Sequence, residues 1–111
     1  DHEGVAMQLN IIVDDYSMNL NLPEEFLKSS AESFERLDAS MRDGIQMGRE
    51  WVQQPDRQQR CQIAAGKLLT ALETDNESLA MLSAGYIVSR MPDVRRVRID
   101  NTGEPGGTRF E

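Results

Sequence analysis

Arg90, Arg95, Arg96 and Arg98 are the densest group of like-charged side chains in the chain. Residues 90–98 contain one acid, Asp93, whereas residues 1–89 carry 15 acids against 7 bases. A guanidinium offers a planar fork of donors that matches a carboxylate or a phosphate. These four arginines are therefore the candidate interaction or anion-binding residues, and an acidic protein surface is their candidate partner. The competing reading is a strand edge shielded by charge, or arginines paired with the chain's own acids. No aromatic residues interleave with them, as stacking on single-stranded nucleic acid would need. The net charge of −7 also repels polyanions and anionic membranes, so neither is an expected partner.

Other reactive types are sparse. Cys61 has Arg57 and Arg60 nearby in sequence, and neighbouring cations lower a thiol pKa. It also falls in phase with an apolar stripe, where a free cysteine behaves as a small buried hydrophobe. The one histidine, His2, stands far away near the start, so a Cys-His pair is hard to build. Asp14-Asp15 lacks the spacing of a calcium loop. Glu24, Glu25, Glu32 and Glu35 stand at helical spacing without a Glu-x-x-His motif, so a di-iron site lacks half its ligands. The expectation is no metal, no cofactor and no catalytic residue, leaning away from an enzyme.

Gly44 and Gly48 stand four apart in a stretch whose apolar residues recur at intervals of three and four. Helix glycines cost about 1 kcal/mol each relative to alanine. Two on one face predict close packing against a neighbouring backbone, with Trp51 on the same surface or lining a pocket beside it.

The elements that must position these residues follow from periodicity. From Val5 to Leu22 apolar and polar residues largely alternate, interrupted at Asp14-Asp15, which predicts a β-hairpin turning there, with one long bent strand bulged at that point as the alternative. At Pro23 the period becomes helical. Leu27, Ala31, Phe34, Leu37, Met41, Ile45, Gly48 and Val52 predict one helix of about 30 residues ending near Gln54. On its outer side Glu24/Lys28, Glu32/Arg36 and Asp38/Arg42 form acid-before-base pairs four apart. A second helix is expected over 56–72. A third is expected to about Arg90, opened by a capping box at Thr74-Asp75-Asn76-Glu77. Val94 to Ile99 alternates again, with Arg96 and Arg98 on one face and Val97 and Ile99 on the other. This predicts a third strand joining the hairpin.

The expected fold is thus α+β, in the order ββαααβ, with a small antiparallel sheet packed on three helices. Residues 1–100 form a single domain and residues 101–111, rich in glycine, form a flexible or extended tail. A chain of 111 residues suffices for one core. It has no apolar run of membrane-spanning length, and its lone cysteine fits the cytoplasm. A 30-residue helix would outrun the elements available to cover it. The expected function is therefore non-catalytic protein binding, assembly or an accessory role, with a second copy of the chain as the first partner. The alternative is a small ligand-binding protein or enzyme with a pocket between helices and sheet, using Tyr16, Tyr86, Arg90 and nearby acids.

Overall fold

The computed structural model describes residues 7–47, 49–100 and 107–111. The hairpin forms as the alternation predicts. β1 (Met7–Val13) pairs antiparallel with β2 (Tyr16–Leu22), from Val13↔Tyr16 at the turn to Met7↔Leu22 at the far end. No glycine occupies the turn; Asp14 takes the left-handed conformation instead, at φ 54°. Aspartate tolerates that region because its short side chain can bond to nearby backbone.

The long helix does not form. α1 (Glu24–Ser29) and α2 (Ala31–Arg42) meet at a bend on Ser30, whose φ, ψ of −100°, 5° departs from helix. Beyond Arg42 the chain leaves helix altogether. Gly44 sits at φ 128°, and β3 (Ile45–Met47) turns back onto β4 (Glu50–Val52) as a separate two-stranded hairpin. The three-four spacing of Ile45, Gly48 and Val52 is coincidental. Isoleucine, tryptophan and valine favour extended backbone, and the glycines weaken the helix that the stripe would need. Gly44 is therefore not on a helix face, and Gly48 lies outside the described residues. A close approach does exist at Gly44, but to a side chain. An added Cβ would stand 2.5 Å from the Trp51 ring, which lies over the glycine while remaining 60% exposed.

α3 (Arg57–Glu73) and α4 (Glu77–Arg90) match the two later helices. Asp56 caps α3 with a full capping box, accepting from the Gln59 backbone at 2.8 Å while Gln59 accepts from its own at 2.9 Å. The cap of α4 is Asn76, which accepts from the Leu79 backbone at 3.1 Å; Thr74 instead closes α3. The expected Thr74–Glu77 box is therefore shifted, because the turn needs Asp75 in the left-handed region at φ 55°.

β5 (Arg96–Ile99) joins the hairpin beside β1, but parallel to it, in register Asn10↔Arg96 to Val13↔Ile99. The helices between these strands act as a crossover, which returns the chain in the same direction. The sheet is mixed rather than antiparallel. β6 (Arg109–Phe110) pairs antiparallel with β5, giving the order β2-β1-β5-β6. The stretch 101–111, read as tail, thus ends in an edge strand, and Glu111 exchanges backbone hydrogen bonds with Arg96 at 2.8 and 3.0 Å.

One face of the sheet supplies Leu9, Ile11, Leu22, Val97 and Ile99 to the core. α3 and α4 contribute Cys61, Leu68, Ile87 and Val88 to the same cluster. Alanines at 64, 65, 71, 80 and 84 are all buried, which lets those two helices approach closely. Phe34 of α2 meets Tyr86 of α4 edge-on, with ring centroids 6.4 Å apart.

Candidate functional site

The four arginines do not form one cluster. Arg90, in the last turn of α4, turns to Asp38 on α2, with Nε and Nη2 at 2.8 and 2.6 Å from Oδ2. The Tyr86 hydroxyl donates to the other carboxylate oxygen, and Arg60 Nε stands 3.4 Å from it. The Arg90 guanidinium also lies 5.1 Å from the centroid of the Tyr86 ring. Asp38 therefore bridges α2, α3 and α4; it does not form the expected i,i+4 pair with Arg42. Asp38 follows Phe34 by four and shares its face, a spacing that points it inward but does not name its partner.

The electrostatics of this cluster are those of a fixed ion pair. Burial opposes ionisation of Asp38. The hydrogen bonds from Tyr86 and Arg90, with the Arg90 and Arg60 charges, outweigh it and hold the carboxyl below its usual range. Burial, reinforced by the Asp38 hydrogen bond, pushes the Tyr86 hydroxyl well above its usual value. Burial likewise pushes the Cys61 thiol up to about 12, against the opposing pull of Arg60 and Arg57. Near neutral pH these are a carboxylate, a phenol and a thiol, none of them poised to exchange protons. Native protein should accordingly resist iodoacetamide at pH 8, whereas chain unfolded in denaturant should be alkylated within the same time; mass spectrometry reads both.

Arg96 and Arg98 share the outer face of β5, as the alternation predicts. Arg96 donates to Asn10 Oδ1 at 3.1 Å, and Arg98 Nε donates to Glu111 Oε2 at 2.9 Å. Glu111 Oε1 also stands 3.4 Å from Arg96. Hydrogen bonding from Arg98 leads the effects that lower the Glu111 pKa. Arg95 points elsewhere, donating to the Pro92 carbonyl at 2.9 Å. The structure thus brings together two of the four, with a carboxylate of the chain between them.

A feature that periodicity did not disclose is a groove of about 910 Å³ between the tip of the β1–β2 hairpin and the α3–α4 turn. Its apolar wall comprises Val13, Met18 and Leu20 of the hairpin with Leu69 and Leu72 of α3. All five are only half-buried. Burial along β2 falls from Leu22, fully enclosed, to Tyr16, 57% exposed, as the strand runs toward the groove. Asp14, Asp15, Glu73, Asp75 and Glu77 also line the groove, and among the described residues no lysine or arginine does. Of the residues expected to shape a pocket, Tyr16 is here, whereas Tyr86 and Arg90 are in the Asp38 cluster.

Among the described residues no helix is long and apolar enough to cross a membrane, and no group of three or more His, Cys, Asp or Glu could hold a metal ion. In comparisons with known proteins, no family model, curated sequence or solved structure matches this chain significantly.

Proposed function

We propose that this chain is a non-catalytic protein-binding or assembly protein, and that the hairpin–helix groove is its docking surface. The half-buried apolar wall beside Tyr16 carries the reading. Apolar side chains on the inner face of a sheet are normally covered by the protein itself, and a contiguous set left open marks a contact surface. The open shape favours a polypeptide over a small molecule, since small ligands are mostly enclosed by their pockets. A second copy of the chain is one form of assembly that this surface admits.

A photo-crosslinking residue in place of Tyr16, in chain expressed in its native cell, tests the proposal. Discrete protein adducts should form there and not from the same residue at Arg42, which is exposed elsewhere. Absence of adducts from the Tyr16 position, or equal adducts from both, would overturn it.

A further inference from the structure

Resting on the docking role of the groove, we infer that its occupant is an extended, basic segment of another protein, which adds to the sheet as a new strand beside β2. β2 is an edge strand, with β1 as its sheet neighbour. Edge strands are usually short, charged or interrupted by proline, which discourages pairing. β2 has seven residues, Tyr-Ser-Met-Asn-Leu-Asn-Leu, with none of these safeguards. By contrast, the opposite edge, β6, has two residues, one of them arginine.

The register specifies which backbone groups are available. Asn10 donates its N–H to Arg95 of the β5 side at 2.9 Å. Antiparallel ladders alternate, so Leu9 and Ile11 direct their groups to β2, where Leu20 and Met18 face them. The N–H and C=O groups of Ser17, Asn19 and Asn21 consequently point outward from the sheet. A strand paired to them would place every second side chain on the inner face, alongside Tyr16, Met18 and Leu20 and over the groove.

Charge selects the occupant. Asp15, Glu73, Asp75 and Glu77 are exposed around the groove, and among the described residues no base lines it. A segment with apolar side chains at its inward positions and Lys or Arg at the inward position nearest the hairpin tip complements that rim and is steered to it. A second copy is disfavoured on the same ground. Each chain carries a net −7, so two copies repel each other.

Two synthetic peptides long enough to span β2 test this; both alternate valine with serine, and one carries lysine and the other glutamate at the inward position beside the hairpin tip. The lysine peptide should bind with an affinity that drops at least tenfold between low salt and roughly 0.5 M, because screening shortens the reach of the rim charges. Hydrogen exchange at the Ser17, Asn19 and Asn21 amides should slow when it binds. N-methylation of the edge-facing peptide nitrogens, which removes donors without changing charge, should weaken binding tenfold or more. The folded triple variant Asp15→Asn, Glu73→Gln, Glu77→Gln should weaken it comparably. Equal binding of both peptides, no binding of the lysine peptide, or binding without slowed exchange in β2 would overturn the inference. So would sedimentation showing a dimer that excludes the peptide. If crosslinks from the Tyr16 position persist while the lysine peptide fails, the strand-addition inference falls and the docking role stands. If those crosslinks vanish as well, both fall.

Discussion

Asp38→Ala should lower stability by about 3 kcal/mol, the lower end of the cost of removing one partner from a buried ion pair. The lower end applies because the side chains of Asp38, Arg60 and Arg90 keep 20–27% of their exposure. Without the carboxylate, Arg90 and Arg60 remain partly desolvated beside each other and the Tyr86 hydroxyl loses its acceptor. In a domain of this size that corresponds to a drop of roughly 10–20 °C in Tm, measurable by calorimetry. Asp38→Asn should fall between, since an amide oxygen still accepts while the charge is gone. The pH dependence distinguishes the two contributions. Asp38 ionises more readily in the folded chain than at its ordinary value of 3.8, so its ionised form favours folding. That stabilisation is complete above about pH 4 and is lost as pH falls through the lower folded value. The wild-type chain should therefore lose stability more steeply below pH 4 than Asp38→Asn does. Equal slopes would mean that the ion pair contributes nothing beyond its hydrogen bonds.

Gly85→Val should destabilise by about 2–3 kcal/mol, as overpacking of a filled core does. A Cβ at this α4 position would stand 2.8 Å from Phe34 Cζ and 3.1 Å from Phe26 Cε2. Valine is a slightly better helix former than glycine, which offsets only a few tenths of a kcal/mol. Phe34 is buried and cannot swing into solvent. Its displacement would be passed to Tyr86, which it meets edge-on, and through Tyr86 to Asp38. Denaturant unfolding should show the loss, and the variant combined with Asp38→Ala should lose less than the two single changes added together, because they disturb one connected cluster. Simple additivity would separate the aromatic contact from the ion pair. Gly85 went unremarked in the sequence because no glycine partner marks its spacing; the crowding comes from α1 and α2.

Both positions belong to the framework that holds α2 and α4 together, and neither lines the groove. Their variants thus separate stability from docking. A variant destabilised at Asp38 but still folded should keep the peptide response, whereas neutralising the rim acids should weaken it about tenfold or more with little change in Tm.

What the sequence by itself determined is the part that rests on local periodicity and local backbone chemistry. Alternation from Met7 to Leu22 placed the hairpin, its turn and its buried face, and Asp56 started α3 through contacts only three residues long. Alternation over 94–99 likewise put Arg96 and Arg98 on one face. Tertiary structure decided everything that depends on distant neighbours. A three-four stripe through 45–52 was as compatible with helix as with strand, and Gly44 with its overlying Trp51 resolved it as a hairpin. The direction of β5, the capture of Arg90 by Asp38 across 52 residues and the strand at Arg109–Phe110 leave no local periodic trace. The groove belongs to the same class: its walls come from residues 13–20 and 69–80, each ordinary alone. Their meeting depends on how the sheet packs against α3 and α4, and side-chain periodicity carries no information about that placement.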